Sequence, residues 1–430
     1  MRDLENVYVP NSLNAWEEGT SLGKPGRRLV ICSPGVPHET EGASTVVFYS
    51  YIEAMRKAGF QILHILLFQP GQDNESSLSE YVARMQIVGG VEVFACAAES
   101  FVETRRFSIR LNRQVAATAQ DAARQFEPDV VFCLDLLSAW VLDGFDGAPK
   151  LVWLGDLNFQ TQLYHALYAT RENPISFPGI PLMWIHSRIW RRIYRQVLEG
   201  VDSVIIASAS SRKQLLRLGI ESMYEPYPWP NKTSSKPPNS GPQLDIPTFL
   251  FFGTLAALGS RSAFHFMVRT LYPRLLHVWG SGKFQILVCG SRGLPEWVQR
   301  ALASKPEIKF LGFVDDIDHV MAQCHAVLVP IEVPVGNRSR ILTAMAKGTL
   351  VIAHKNAALG NPDLIDSKTC YLARTADEFL DRMQRASRGG DEVRSIVQEA
   401  YRLYNDKFRP DAATARMITE VLRVAEHAKP

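Results

Sequence analysis

The sequence predicts an α/β protein made of two doubly wound Rossmann-like domains that face a cleft. Three observations carry that prediction. Short apolar runs alternate with amphipathic stretches, without tight hairpin signals between them, which is the pattern of a parallel sheet covered on both faces. A stretch crowded with Pro, Ser, Asn and Gly, PYPWPNKTSSKPPNSGPQLDIP at 226–247, interrupts the alternation and reads as a linker. Beyond it the alternation restarts, and a chain of 430 residues is long enough for two cores.

The elements follow in order. After an N-terminal extension at 1–27, RLVICS (Arg28 to Ser33) has the look of a buried parallel strand and ends in Pro34 and Gly35. A loop with His38, Glu39 and Gly42 leads into an amphipathic helix through Tyr51 to Lys57, closed by Gly59, and Phe60 to Phe68 is the next strand. VVFCLD, LVWLGD and VIIAS each follow a turn signal. The first domain is expected over 28–225. In the second, over 248–405, strands are expected in TFLFFG, FQILVCGSRG, IKFLGFVDD, AVLVPIEVP and TLVIAH. Residues 406–430 are expected to form a helix that returns to the first domain. Such sheets bind ligands beyond the carboxyl ends of their strands, so the cleft between the halves is the expected site.

Composition narrows the function classes. The 47 basic and 44 acidic residues leave a formal net charge of +3, which gives no reason to expect nucleic acid as a partner. Cys32, Cys96, Cys133, Cys289, Cys324 and Cys370 lie far apart, several within apolar runs, and read as buried reduced thiols in a reducing compartment. The N-terminus lacks the apolar core of a signal peptide, and no run reaches the ~18 apolar residues of a spanning helix. A cytoplasmic protein is expected, with at most peripheral contact at the inner face of a membrane.

One segment poses an electrostatic problem. GNRSRILTAMAKG, Gly336 to Gly348, reads as a short helix with a glycine stop, and Arg338 and Arg340 fall in its first turn, against the helix dipole. An anion resolves the conflict, because free amides, dipole and guanidinium forks all favour one there. Upstream, FLFF runs into Gly253, where the backbone is free to approach a ligand, and Ser260 or Ser262 is expected to cap the next helix beside Arg261. Two glycine-led helix starts carrying arginines point to a diphosphate.

The series FFG, ILVCG, FLGFVDD, AVLVP and GNRSRILTAMAKGTLVIAH resembles the donor-binding half of retaining glycosyltransferases of the GT-B fold, family 4 type (glycosyl transferases group 1). GASTVVFYSYIEAMRKAGF and VDSVIIASASSRKQLLRLG are similar to pieces of that family's first domain. The resemblance implies transfer of a sugar from a nucleoside-diphosphate sugar to a saccharide or polyprenyl-linked acceptor, as in surface polysaccharide or glycoconjugate synthesis. It implies no cofactor and no metal. Arg261, Arg338, Arg340, Gly253, Gly336 and Gly42 would then face the donor diphosphate, and Phe313 and Val314 the base. Where the family carries a glutamate for the ribose hydroxyls and an acidic residue eight positions upstream, this chain has Thr343 and Val335. Thr343 retains one hydroxyl for a ribose, and Glu332 is the carboxylate that a shifted loop would bring closer.

Asp156, at the end of LVWLGD, and His38 are the catalytic candidates; the plainer readings are a helix cap and an inert loop histidine. The missing carboxylates also admit a degenerate, non-catalytic GT-B protein that binds a nucleotide sugar or a partner enzyme. A nucleotide-sugar epimerase shares the architecture, but Asp156, His38 and Glu332 are few and scattered for it. Finally, LMWIHSRIWRRIYRQVL at 182–198 sets Leu182, Ile185, Ile189, Ile193 and Val197 along one stripe, with Trp190 and Tyr194 beside it. Arg188, Arg191, Arg192 and Arg195 gather opposite. Two readings stand: a basic helix lying on an anionic membrane, or a helix packed on the sheet with a solvated basic face.

Overall fold

The computed structural model describes residues 26–172, 179–229, 246–290 and 293–426. The first half runs β1 (Arg28–Pro34), α1 (Ser44–Lys57), β2 (Gln61–Phe68), α2 (Glu75–Val88), β3 (Val91–Ala97), β4 (Val102–Arg105) and β5 (Ser108–Leu111). It continues with α3 (Arg113–Phe126), β6 (Val130–Leu134), α4 (Leu136–Val141), β7 (Lys150–Leu154), α5 (Asn158–Glu172), α6 (Gly179–Leu198), β8 (Ser203–Ile206), α7 (Ala209–Leu216) and β9 (Met223–Tyr224). The second half begins β10 (Thr248–Phe252), α8 (Leu258–Phe266), α9 (Tyr272–Trp279), β11 (Gln285–Cys289), α10 (Glu296–Leu302), β12 (Ile308–Gly312) and α11 (Ile317–Ala322). It ends β13 (Ala326–Val329), α12 (Ser339–Ala346), β14 (Val351–His354), β15 (Tyr371–Ala373), α13 (Ala376–Arg388), α14 (Asp391–Leu403) and α15 (Pro410–Glu426).

The apolar runs become two parallel sheets. The first has the order β3-β2-β1-β6-β7-β8-β9 and the second β12-β11-β10-β13-β14-β15. Each reverses direction beside its first strand, between β1 and β6 and between β10 and β13. The loops that leave those four strands therefore diverge at the two switch points, where a crevice opens. Residues such as Val30, Ile31, Phe132, Cys133, Phe251 and Val327 are wholly buried, as strands covered on both faces should be. All six cysteines are buried and unpaired.

One buried polar side chain on these strands is satisfied at both of its ring nitrogens. His64 on β2 has Ser33 Oγ at 2.9 Å from Nε2 and Tyr81 OH at 2.9 Å from Nδ1. Burial holds its pKa down at about 3, so the ring is a neutral structural link between β1, β2 and α2.

The halves are joined twice. Pro226–Trp229, which read as the start of the linker, is packed instead: Pro226, Tyr227 and Pro228 are buried, and the Trp229 amide donates to the Phe408 carbonyl at 2.9 Å. Its aromatic residues contribute more by burial than by solvation, which the surrounding prolines obscured. Residues 230–245 of that linker and 1–25 of the N-terminal extension lie outside the described residues. The second join is α15, which lies on α1 and the β6 and β7 strands. Met417, Val421 and Val424 are buried there, Ser203 Oγ donates to Glu420 at 2.6 Å, and the Arg416 guanidinium pairs with Glu225.

The helix at 179–198 packs on the first domain. Trp190, Ile193, Tyr194, Val197 and Leu198 are buried, whereas Leu182, Ile185 and Ile189 of the expected stripe are only partly covered, and Arg188, Arg191, Arg192 and Arg195 are exposed. The C-terminal half of the apolar face therefore covers protein.

Candidate active site

Two helix starts converge at the second switch point. α12 begins just after Arg338, which holds the N-cap position, and α8 begins after Ala257. Ser260 and Ser262 do not cap α8, because the helix starts before them; Ser262 Oγ donates back to the Gly259 carbonyl, and Ser260 Oγ instead accepts from Arg340 Nη2 at 2.8 Å. Gly253 follows β10 with φ +131°, and a Cβ there would lie 2.5 Å from Arg340 Nη2. Only glycine leaves room for that guanidinium beneath the turn. Gly259, in the first turn of α8, lies against Arg338 Nη1.

These two arginines are short of partners. Arg338 Nη2 donates to the Val333 carbonyl at 2.6 Å, but its Nε and Arg340 Nη1 are buried with no hydrogen-bond partner. Burial, and then the Arg338 charge, press the Arg340 pKa down to about 10; burial lowers that of Arg338 too, against the opposing pull of Asp156. Two like charges side by side with orphaned donors cost several kcal/mol unless an anion joins them. Oxygen atoms of a doubly or triply charged group would satisfy both.

Across the cleft, β6 and β7 end in Asp135 and Asp156. The Asp156 carboxylate reaches the second half: its Oδ1 occupies the place where a Cβ on Gly336 would be, and Gly336 has φ +74°. It is accessible through the cleft yet enclosed by protein, so burial raises its pKa while Arg338 lowers it. Asp135 was not singled out from the sequence. It caps α4 by accepting the Leu136 amide, with φ +96° and ψ 159°, a region almost reserved for glycine. Burial and, more weakly, the Asp156 charge push its pKa up to about 6, against the amides of Leu136 and Leu137. Tyr194 lies near both carboxylates and accepts the Asn158 amide at 3.2 Å. The sequence signal available for Asp135 was the parallel between VVFCLD and LVWLGD, two buried strands each closing on an acid.

The cleft is closed by further contacts. Tyr168 OH on α5 donates to Glu332 Oε2 at 3.3 Å, and Asn337 Nδ2 donates to the Ala207 carbonyl at 3.5 Å. Glu332 thus meets the first half across the cleft, and Val335 is itself buried in the core.

Buried arginines on one half thus face carboxylates on the other. Residues 246–388 match the family model of glycosyl transferases group 1. No curated protein matches the chain. Among solved structures, a glycosyltransferase from Rickettsia africae ESF-5 is 13% identical with a TM-score of 0.64, covering 94% of this chain and 100% of its own. HepE of Anabaena in complex with UDP is 15% identical with a TM-score of 0.63, covering 92% and 99%. Sucrose-phosphate synthase from Thermosynechococcus elongatus is 14% identical with a TM-score of 0.64, covering 93% and 99%. At such identities the likeness establishes the fold, which is GT-B.

Within the GT-B frame the remaining expected residues separate. Arg261 is on α8 one residue past Ser260 and lies over the Trp297 ring at 5.6 Å. Phe313 is exposed after β12, whereas Val314 packs against the core. Gly42 has φ +81° in the exposed loop before α1, where Thr45 Oγ1 donates to the Glu41 carbonyl at 2.6 Å. His38 Nδ1 accepts the amides of Thr40 and Glu41 at 3.1 and 2.8 Å, so this ring orders the glycine loop. Thr343, expected to meet a ribose, gives its hydroxyl to protein: Oγ1 accepts from Trp229 Nε1 at 2.8 Å and donates to the Ser339 carbonyl at 3.1 Å. The aromatic side chain that claims it comes from the stretch that looked like linker.

Proposed function

We propose that this protein is a glycosyltransferase that moves a sugar from a nucleoside-diphosphate donor to a saccharide or lipid-linked acceptor, in surface polysaccharide or glycoconjugate synthesis. The observation that carries the reading is the pair Arg338 and Arg340, buried together with orphaned guanidinium donors between two helix N-termini. The group 1 match over 246–388 supports it. So do neighbours of the same fold: HepE has been seen with UDP and glucose, WaaB is a lipopolysaccharide outer core galactosyltransferase, and TarM has been seen with fondaparinux, alpha-GlcNAc-glycerol and UDP.

In this reading the diphosphate sits on Arg338, Arg340 and the amides that open α8 and α12, with Arg261 at its edge. As the bond between sugar and diphosphate breaks, negative charge grows on the leaving oxygen, and preorganised guanidinium groups stabilise that charge most at that moment. The guanidinium groups do this work without a metal. Asp156 and Asp135 flank the sugar from the first half, where a carboxylate accepts the proton of the incoming hydroxyl. Retention of anomeric configuration belongs to the proposal through the family resemblance alone.

Calorimetric titration with UDP, GDP, ADP and their sugar conjugates, with EDTA present, tests the reading. One saturating nucleotide whose binding is lost in Arg340→Ala is the expected result; no binding across the panel would overturn it. A second reading draws on Thr343. Its hydroxyl is committed to Trp229, so the nucleoside loses a polar anchor, which favours a non-catalytic protein that holds a nucleotide sugar or a partner enzyme. Binding without hydrolysis or transfer to any offered acceptor would select it.

A further inference from the structure

We propose that the first half carries a saccharide-binding site outside the cleft, a cavity among its helices that holds a short oligosaccharide. The cavity, about 970 Å³, lies between the β4–β5 hairpin, α3, the end of α4 and the last turns of α6. That volume is at the upper end of the roughly 300 to 1,000 Å³ of ordinary ligand sites. None of Asp135, Asp156, Arg338 and Arg340 lines it. Asp135 caps the start of α4, whereas Trp140 and Asp143 lie at the other end of that helix.

The walls are tied to one another, so the cavity is already formed. Asn112, after β5, caps α3 by accepting the Gln114 amide at 3.2 Å, and its own amide donates to the Phe101 carbonyl just before β4 at 2.9 Å. Gln120 Nε2 on α3 donates to the Val141 carbonyl on α4 at 2.9 Å. Gly144 leaves room beside that amide, since a Cβ there would lie 3.2 Å from Gln120 Oε1. On α6 the His186 ring Nε2 lies 3.1 and 3.2 Å from the Arg105 and Arg106 carbonyls of the hairpin and donates to them. His186 and Ile193 are two turns apart, so this joint and the cavity share one side of α6.

The lining has the chemistry of sugar recognition. Ile109, Ala116, Trp140 and Ile193 are buried and make an apolar floor, in which Trp140 meets Trp190 edge to face at 6.0 Å. Arg110, Arg113, Asp143 and Gln196 stand around it, and among the described residues none of these four side chains has a hydrogen bond or ion pair. Glu103, the other acid of the lining, is held by Arg105 at 2.6 Å. Guanidinium, carboxylate and amide groups are planar forks that bind neighbouring hydroxyls in pairs, and an indole packs on the C–H face of a sugar ring. Free groups of both signs suit a ligand that donates and accepts along its whole length. A bare phosphate would set like charge against Asp143, and an apolar ligand would strip water from the polar wall without replacing it. The inference goes beyond the donor site and stands whether or not sugar transfer takes place.

The experiment applies the full chain, without nucleotide, to an array of immobilised oligosaccharides spanning neutral, amino and uronate sugars, and follows the retained one by calorimetry. Retention on at least one class is expected, undiminished in Arg340→Ala. Ala117→Phe fills the cavity from an exposed position on α3 and should abolish retention, with circular dichroism, melting temperature and nucleotide affinity unchanged. Arg113→Ala and Asp143→Ala should each weaken binding about tenfold, the effect of losing a hydrogen bond to a charged group. No retention on any sugar, or equal affinity in Ala117→Phe, would overturn the proposal. Retention lost in Arg340→Ala would place the sugar in the cleft and overturn it as well. Oligosaccharide binding without nucleotide binding would sink the transferase reading and leave this site standing.

Discussion

Trp229 Nε1 donates to Thr343 Oγ1 at 2.8 Å, joining the chain crossover to the helix that carries Arg340 one turn earlier. The bond explains a threonine in the middle of α12. It also fixes the crossover against the floor of the candidate site.

Thr343→Val would leave the indole N–H without its partner. A loss of about 1 to 2 kcal/mol in stability is expected, read as a lower urea midpoint. Nucleotide affinity should stay within about threefold, since in this structure the hydroxyl serves the protein; a loss of tenfold by calorimetry would mean that it also touches the ligand.

Removing an arginine from the cradle should separate binding from folding. Arg340→Met is expected to weaken nucleoside-diphosphate binding by about 10- to 100-fold, the range for a charge-assisted hydrogen bond. The unliganded variant should be no less stable than the parent, because a buried charge with an orphaned donor has gone. Pyrophosphate should raise the melting temperature of the parent and, at the same concentration, raise that of the variant much less.

Gly336→Ala places a Cβ on Asp156 and forces alanine to φ +74°. A loss of roughly 1 to 3 kcal/mol is expected from the backbone alone. The double variant with Asp156→Ala should recover part of that loss, and strict additivity in thermal unfolding would mean that the two residues do not touch.

Asp135 gives a pH signature. Its pKa is about 6 in the folded chain against the ordinary 3.8, so between those values the folded state holds more protons than the unfolded one. This contribution to stability is largest below about pH 4 and is lost as pH rises through 6. Asp135→Asn should abolish that slope and add on the order of 2 kcal/mol at neutral pH. Urea titrations across that window would show it, and an unchanged slope would place the proton elsewhere.

What was legible from sequence follows from the range of each interaction. RLVICS, VVFCLD and FLFF are strands because both faces are buried, and that shows in the composition of each run. The meeting of Gly253 with Arg340 was half legible, since each lies where a strand hands over to a helix and an anion is favoured. Ser260 as a cap was misplaced by the helix starting at Leu258, a shift that local signals do not resolve. Tyr168 with Glu332 and Trp229 with Thr343 join residues far apart in the chain, with no periodic pattern to announce them. The strain at Asp135 is a matter of backbone angle, which residue type does not encode.

Because α15 lies on α1, β6 and β7 while its chain has already passed through the second half, the molecule is held together by a clasp as well as by a tether. A cut anywhere in 230–245 would leave two pieces that still hold each other, with Met417 and Val421 in the core of the first. Expressing 26–229 alone would strip that face bare and yield an insoluble fragment. A workable split of this protein would take the last helix along with the first half.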